Sequence, residues 1–501
     1  MIRTKFLSLS ILAMGLTVAL NSPLFFKDGA AVNATTSPET QAVHQETLHH
    51  NEEDAALIAQ FGLGDIFKIE ETIDNRIDRF ESSIRSRVPN ILQPLLPDDL
   101  FSLENQRIFE FSNYFDKDLP EFEQQPEDVQ ETLERIAQAT GKRHAMVYIS
   151  YPEEGDGLNF LLFAPNVPPQ TLYTQERDRQ DIIELVNKFR SDLAVSLRRP
   201  NINYKETSRE LYDIVIKPIA PFLQANNIDS LIFSLDEGLR SLPIAALYDG
   251  DRYLIEKYSL SVVPSFYNIN SNYTSLQNSP VLAMGADSFE ELDPLPGVEV
   301  EVGAIANLTQ GQSFLNETFT VDNLKQTRQS QRFPIVHLAT HAEFNSGKPK
   351  KSSIYLWDEE LRLSELDELN FDNPPLDLLV LSACQTALGS RDAELGFSGL
   401  TIASGSTSAL GSLWSVSDAG TLILMQNFYR KLQTEPTKAA ALRQAQLEML
   451  HGDLKIANGQ VRLASGISAN IQISEKVESV TTNDLMHPYY WSGFTLVGRP
   501  W

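Results

Sequence analysis

The sequence predicts an α/β protein with a largely parallel sheet flanked by helices. From about residue 126 onward, short apolar runs alternate with amphipathic segments of about 10 to 17 residues, as in strands joined by helical crossovers. The chain shows no internal repeat, so a solenoid or a propeller is not expected. In sheets of this class, binding and catalytic sites collect at the carboxyl ends of the strands. The residues at those ends are therefore the first candidates for a functional site.

The strands are predicted from apolar, β-branched runs and the helices from apolar residues at helical spacing. The predicted strands are Ala145–Ser150, Leu158–Ala164, Ser230–Ser234, Tyr253–Val263, Val281–Gly285, Ile335–Ala339, Ser353–Leu356, Leu376–Ser382 and Phe494–Val497. The predicted helices are Glu127–Ala139, Asp181–Ser196, Arg209–Ala225, Val298–Asn307, Gly396–Ser404, Thr421–Leu432 and Thr437–Met449, with a helix-like segment at Leu363–Leu369.

The composition of the chain argues against several classes of function. The 501 residues carry 41 basic and 67 acidic side chains, a net charge of 41 − 67 = −26, and so acidic a surface repels nucleic acid. The chain has one cysteine, Cys384, which excludes an internal disulfide and a multi-cysteine zinc site. It has neither a Walker A loop nor a dinucleotide-binding glycine fingerprint. We expect no metal and no cofactor.

The first 34 residues resemble an export signal. Arg3 and Lys5 precede the apolar stretch Leu7–Leu20, and Ala34 ends a small-residue sequence suited to cleavage. If Leu7–Phe26 is one segment, it is long enough to be an uncleaved membrane anchor instead. Both interpretations place the protein outside the cytoplasm, periplasmic or extracellular, with any membrane association confined to this segment.

Two further regions precede the α/β body. Residues 35–56 are polar and predict a linker, and this composition favours solvated side chains over metal ligands for His44, His49 and His50. Residues 57–127 predict a small helical region, with a helix over Ile69–Val88.

Two strand ends carry residues suited to nucleophilic catalysis. The run Ile335–Ala339 leads into His341, and the run Leu376–Ser382 leads to Cys384. If the two strands are parallel neighbours, the thiol and the imidazole lie side by side. A thiolate could then attack a carbonyl, His341 could carry the proton, and the backbone N–H groups of Ala342 and Cys384 could bind the oxyanion. The alternative is a buried structural cysteine and a histidine in a turn.

The surrounding residues resemble a known family. His337-Leu-Ala-Thr-His341 and Leu381-Ser-Ala-Cys384-Gln-Thr-Ala387 are similar to the two signature motifs of the CHAT family. Further blocks of residues follow in the family's order from about residue 205 to 501: Arg209–Pro218, Ile232–Ala246, Leu295–Glu299, Ser412–Asp418 and His487–Trp491.

CHAT proteins are caspase-like peptidases, related to caspases, separases and gingipains. The resemblance implies a caspase-like fold in two lobes, a degenerate lobe at about 128–278 and a peptidase lobe at about 279–501. It implies a cysteine endopeptidase that hydrolyses a protein or peptide substrate. The alternative is a non-catalytic CHAT-fold module that binds another protein.

The resemblance assigns roles to individual residues. Cys384 matches the family's nucleophile and His341 its catalytic histidine, whereas His337 is expected to pack or to orient the loop. Where the family usually has glycine after this histidine, the chain has Ala342. If that turn needs a positive φ, alanine would misplace the oxyanion hole. The helical repeats common in the family are missing from this sequence.

Acidic residues near the site bear on specificity. Asp418 lies in a block that resembles separases, whose substrates are cut after arginine, so its carboxylate could bind a basic P1 side chain. The alternative role of Asp418 is to cap the helix that follows. Asp392 and Glu394 are second candidates. Trp414 and Trp491 are expected in the core or in pocket walls.

Overall fold

The computed structural model describes most of the chain after residue 92. The described ranges are 93–94, 97–175, 177–199, 201–269, 271–386, 390–415, 417–457, 460–463, 468–472 and 481–501. The predicted export signal, the linker and the helix over Ile69–Val88 lie outside these ranges. Among the described residues, no helix combines the length and the apolar character needed to cross a membrane.

Strands and helices alternate along the described chain. The strands are β1 (Gln93–Pro94), β2 (His144–Ser150), β3 (Leu158–Ala164), β4 (Val167–Thr174), β5 (Ser230–Leu235), β6 (Ser259–Val262), β7 (Val281–Gly285), β8 (Gln312–Leu315), β9 (Ile335–Phe344), β10 (Ser353–Tyr355), β11 (Glu360–Arg362), β12 (Leu378–Thr386), β13 (Ser408–Ser412), β14 (Leu454–Ala457), β15 (Gln460–Leu463), β16 (Ser468–Gln472) and β17 (Phe494–Gly498). The helices are α1 (Pro97–Phe115), α2 (Pro126–Thr140), α3 (Arg179–Ser196), α4 (Tyr204–Val215), α5 (Ala220–Ala225), α6 (Val298–Thr309), α7 (Val321–Ser330), α8 (Arg391–Ser398), α9 (Leu400–Ser404), α10 (Asp418–Leu432), α11 (Lys438–Leu450) and α12 (Thr482–Leu485).

One sheet runs through the molecule in the order β1-β4-β3-β2-β5-β6-β17-β13-β12-β9-β10-β11, with β7 beside β9 and β8 beside β7. The pairs β2–β5, β5–β6, β6–β17, β13–β12, β12–β9, β9–β7 and β7–β8 are parallel. The predicted α/β architecture with a largely parallel sheet is therefore confirmed.

The sheet consists of two halves, which we call the first lobe (β1 to β6) and the second lobe (β7 to β13 with β17). They meet where Val262 of β6 pairs in parallel with Val497 of β17. In the second lobe the spatial order of the strands is β8-β7-β9-β12-β13-β17. Strand β7, the first of this lobe in the sequence, lies between β8 and β9, and β17 is antiparallel to β13. The domain limits predicted from the sequence stay a prediction.

The predicted helix over Arg209–Ala225 is two helices. Helix α4 ends at Val215 and helix α5 begins at Ala220. Pro218 lies between them, and proline has no N–H to donate and disfavours helical geometry in the residue before it. The apolar residues keep helical spacing across Pro218, so the pattern alone predicts one helix, but the proline divides it into two.

The predicted strand over Tyr253–Val263 is mostly not a strand. Residues Leu254–Glu256 form a short 3₁₀ helix, and only Ser259–Val262 pair as β6. The Glu256 side chain accepts a hydrogen bond from the Tyr253 N–H at 2.6 Å, which favours the turn over the extended chain. This local side-chain bond outweighs the apolar pattern.

His144, the first residue of β2, is buried without a hydrogen-bond partner for either ring nitrogen among the described residues. Its ring packs edge-to-face on Trp501, with 5.5 Å between centroids. Burial, with a smaller effect of Lys142, lowers the pKa of His144 to about 3. The imidazole of the unfolded chain takes up a proton near pH 6.5, whereas the buried imidazole stays neutral until about pH 3. The free energy of unfolding therefore decreases as the pH falls from about 6.5 toward 3.

We predict that replacing His144 by leucine removes part of the acid sensitivity of the fold. Between pH 7 and pH 5 the unfolding free energy of the wild type should fall by about 2 kcal/mol more than that of His144→Leu. Urea denaturation at the two pH values measures the difference. Leu133→Val, a buried substitution that changes no titratable group, is the control and should keep the wild-type dependence. Equal dependence in wild type and His144→Leu would contradict the prediction.

Candidate functional site

Strands β9 and β12 are parallel neighbours. Leu381 pairs with Leu338, and after an irregularity Ala383 pairs with His341 and Cys384 with Ala342. His341 and Cys384 thus lie on adjacent strands, one residue apart in register, toward the carboxyl ends of both. The side chains of residues 383–389 are outside the described set. The backbone nevertheless brings together the two strand ends that the sequence singled out.

Both strands are longer than predicted. Strand β9 continues to Phe344 and β12 to Thr386, so His341 and Cys384 lie within strands rather than after them. The extension of β9 is paired with β12 on one side and with β10 on the other, where Ile354 faces Ala342. These pairings join distant parts of the chain, and no local pattern of apolar residues indicates them.

Strand β12 has a described neighbour on each side. Strand β13 pairs with β12 through Leu379–Ala409 and Val380–Leu410. Beyond Leu381, the described pairing of β12 is with β9 alone. The carboxyl ends of β9 and β12 lie at the edge of the sheet where open α/β folds bind ligands.

His341 is held by the segment between β7 and α6, residues 286–297, which we call the Asp287 loop. The Nε2 atom of His341 lies 2.8 Å from the carbonyl oxygen of Asp293, and the Phe289 ring packs edge-to-face on the imidazole at 4.9 Å. A carbonyl oxygen can only accept a hydrogen bond, so Nε2 carries the proton. The neutral ring then has its lone pair on Nδ1, which can accept a proton from another group.

The Asp287 loop is fixed at both ends. The Leu295 N–H donates to the Asp287 carbonyl at 2.9 Å, which brings the two ends of the loop together. At its end the Gly297 N–H donates to Oδ2 of Asp418 at 2.6 Å. A Cβ at position 297 would lie 2.8 Å from both Asp418 carboxylate oxygens, so this approach requires glycine. One loop therefore connects the orientation of His341 to Asp418.

Asp418 is the first residue of α10, and its predicted alternative role as the helix cap is wrong. Ser417 is the cap, because its hydroxyl accepts the Gly420 N–H at 3.1 Å. Burial raises the pKa of Asp418 to about 6, helped by the charge of Glu301 and opposed by the hydrogen bond from Gly297. The structure thus places Asp418 at the end of the Asp287 loop; its binding of a basic side chain stays a prediction.

His337 lies in the core, as expected for a packing residue. Its Nε2 is 2.9 Å from Oε1 of Glu301 on α6, and its Nδ1 is 3.2 Å from the Tyr429 hydroxyl on α10. The side chains of His337 and Glu301 are 0% and 2% exposed. This buried polar contact joins β9 to the two helices that frame the Asp287 loop.

Ala342 lies in extended β9 and is fully buried, so the left-handed turn that would need glycine is not formed there. Because β10 and β12 flank it on both sides, its N–H faces a neighbouring strand. Glycine at position 342 was expected to improve an oxyanion hole only if the backbone needed a positive φ, and the extended backbone of Ala342 does not need one. The oxyanion role of the N–H groups of Ala342 and Cys384 stays a prediction.

The remaining candidates are engaged in packing contacts. Asp392 Oδ2 accepts the Gly347 N–H at 2.8 Å, and Glu394 is buried against the first lobe. Trp491 is fully buried, and Trp414 stacks on Tyr489 with 6.1 Å between ring centroids. Within the described ranges, no three His, Cys, Asp or Glu residues form a group that could hold a metal ion.

Several residues of this site escaped the sequence analysis. Asp293 contacts His341 through its backbone carbonyl, and since every residue has one, the sequence does not indicate this contact. Glu301 and Tyr429 contact His337 across three elements. The block Leu295–Glu299 resembled the family and was the available signal for the Asp287 loop, but its role depends on Asp418, which lies more than a hundred residues away in the sequence.

Fold and site together define a two-lobed α/β protein with a histidine and a cysteine on neighbouring parallel strands. The family model for the CHAT domain matches residues 205–499. The chain belongs to the CHAT domain family, so the predicted membership and the caspase-like α/β fold class are confirmed.

Relatives and solved structures show weaker similarity. Tetratricopeptide repeat protein 28 is 23% identical over 365 residues in Mus musculus and 23% over 363 residues in Homo sapiens, covering 60% of this chain in each case. The matched region is 14% of the mouse protein and 13% of the human protein.

Two crystal structures of the Saccharomyces cerevisiae separase–securin complex are similar over 80% of this chain. Their TM-scores are 0.44 and 0.43 at 10% and 9% identity, and the similarity covers 34% and 31% of those chains.

Proposed function

We propose that the protein is a CHAT-family cysteine endopeptidase that hydrolyses peptide bonds of a protein substrate, with Cys384 as nucleophile and His341 as proton carrier. The observation that carries the proposal is the parallel pairing of β9 with β12, in which Cys384 faces Ala342 one residue after His341. Family membership supports the same assignment, since both residues lie within the matched range 205–499, in segments that resemble the family's two signature motifs.

The orientation of His341 supports a chemical role. With Nε2–H donated to the Asp293 carbonyl, Nδ1 is the basic nitrogen of the neutral ring. In the proposed reaction Nδ1 accepts the Cys384 thiol proton, and the thiolate attacks the peptide carbonyl. The imidazolium then protonates the leaving amine, and an acyl-enzyme thioester remains. Water, deprotonated by the same imidazole, hydrolyses the thioester and restores the thiol.

A second function competes with this one. A non-catalytic CHAT-fold module that binds another protein would keep the same strands without using the thiol. The observation that favours it is the enclosure of the Ala342 N–H between β10 and β12, because an N–H that faces a strand is not free to bind an oxyanion.

We predict that Cys384 reacts faster than an ordinary thiol because of His341. Iodoacetamide should modify native wild-type protein at neutral pH faster than His341→Ala, since a nearby imidazolium favours the thiolate. In a peptide library, the wild type should cleave, Cys384→Ala should not, and His341→Ala should lose about 100-fold or more in kcat. Equal alkylation rates in wild type and His341→Ala, with no cleavage by either, would favour the binding module.

We further propose that the P1 pocket prefers arginine, then lysine, through Asp418. Its carboxylate is partly buried and has one described hydrogen bond, to the Gly297 N–H. A guanidinium can bind a carboxylate through two parallel N–H groups, which an ammonium cannot. The preference should therefore depend on the ionisation of Asp418.

We predict that the selectivity for arginine over leucine at P1 is lost as the pH falls through about 6, where Asp418 takes up a proton. The ratio of kcat/KM values on matched substrates isolates Asp418, because protonation of His341 affects both substrates equally. Asp418→Asn should lose about 30- to 1,000-fold on the arginine substrate and little on the leucine substrate, with a flat ratio against pH. A small, equal loss on both substrates would show that Asp418 only holds the Asp287 loop.

Export is proposed from the N-terminal sequence alone. The basic residues and the apolar stretch before Ala34 predict a mature chain that begins at Thr35, in the periplasm or outside the cell. Mass measurement of the protein from its native host tests this. An intact Met1 in a membrane fraction would indicate the anchor, and an intact Met1 in the cytosol would contradict export.

A further inference from the structure

Helix α8 is the first described element after the strand that carries Cys384. Strand β12 ends at Thr386 and α8 begins at Arg391, capped by the Ser390 hydroxyl, which accepts the Ala393 N–H at 3.2 Å. Only six residues separate Cys384 from Arg391. Helix α8 is therefore close in the sequence to the end of β12.

Two charged side chains of α8, those of Glu394 and Arg391, contact the first lobe. Oε2 of Glu394 accepts the Gly238 N–H at 2.8 Å, and Glu394 is 4% exposed. Arg391 lies 3.7 Å from a carboxylate oxygen of Glu110 on α1 and 4.0 Å from one of Glu237. Helix α8 is thus attached by charge and hydrogen bonds to residues that precede the second lobe.

The first lobe presents Gly238 on a rigid segment, residues 236–242, which we call the Asp236 loop. Gly238 has φ +82°, and a Cβ there would lie 2.5 Å from Cγ1 of Ile183 on α3. Asp236 is ion-paired with the fully buried Arg107 of α1 and also accepts the Tyr151 N–H at 2.7 Å. This loop cannot shift without breaking buried contacts.

Glu394 is surrounded by partners from the first lobe. Burial raises the pKa of its carboxyl, while a hydrogen bond from Ser241, the Gly238 N–H and the charges of Arg240 and Arg190 oppose that rise. Ser241 and Arg240 belong to the Asp236 loop, and Arg190 lies on α3. The carboxylate is therefore held by hydrogen bonds as well as by charge.

We propose that Glu394 is a positioning residue for Cys384, because it fixes α8, the first described element after β12, to the Asp236 loop of the first lobe. The inference rests on the proposed role of Cys384 as nucleophile. With this role, the first lobe contributes to catalysis, because the position of Cys384 at the end of β12 depends on the contact between Glu394 and Gly238.

The test compares two substitutions at one position. Glu394→Gln and Glu394→Ala both remove the charge, but only glutamine keeps an oxygen that can accept the Gly238 N–H. Glu394→Ala should lower kcat and the iodoacetamide rate of Cys384 by about 5- to 100-fold, the range for leaving a buried N–H without a partner. Glu394→Gln should stay within about threefold of wild type, and KM should change little in both, because the carboxylate does not touch substrate.

Glu368→Ala, at an exposed carboxylate of the second lobe, is the control, and it should leave both rates near wild type. Thermal denaturation of each variant identifies an assay temperature at which all of them are folded. A folded Glu394→Ala with wild-type kcat and alkylation rate, or equal losses in the alanine and glutamine variants, would overturn the inference.

The two proposals can fail separately. If the wild type cleaves peptides and Glu394→Ala does so equally well, the positioning role is wrong and the peptidase remains. If no peptide is cleaved but alkylation of Cys384 slows only in Glu394→Ala, the positioning role stands and the peptidase does not. A wild-type Cys384 that does not react with iodoacetamide would contradict both.

Discussion

The parallel pairing of β9 with β12 is the constraint on which the rest of this structure depends. It places His341 and Cys384 at the same edge of the sheet although 42 residues lie between them in the sequence. The buried runs of both strands hold this register, since a slip of one residue would move each side chain to the opposite buried face, where it would not fit the packing. The position of the candidate site is thus a consequence of how the core packs.

Buried charges connect the two lobes to that edge. Arg107, Asp236, Glu110 and Arg240 form ion pairs between α1 and the Asp236 loop, and Glu394 extends the contact to α8. Breaking a buried pair leaves an uncompensated charge, which is costly, so such contacts fix geometry more than they add stability. The family-like block Ile232–Ala246 contains the Asp236 loop, which gives it a structural role in the junction of the lobes.

Much of the architecture could be predicted because local patterns and global packing agree. Strands Leu158–Ala164 and Val281–Gly285 have the predicted limits, since both are short, buried and nearly continuous apolar runs. Strand β13 is not among the predicted strands, because Ser408–Ser412 has small residues at every position except Leu410 and becomes a strand through pairing with β12 and β17. The break at Pro218 was overlooked although proline marked it in the sequence.

For the site, the sequence by itself determined the α/β class, the family, and the two strand ends with His341 and Cys384, because apolar periodicity and spaced motifs are written in residue types. Only the tertiary structure decided that the Asp293 carbonyl orients His341, that Ser417 rather than Asp418 caps α10, and that Glu394 reaches Gly238. These contacts use backbone atoms and residues distant in the chain. A backbone carbonyl or N–H is the same at every non-proline position, so its partner is fixed by where folding places it.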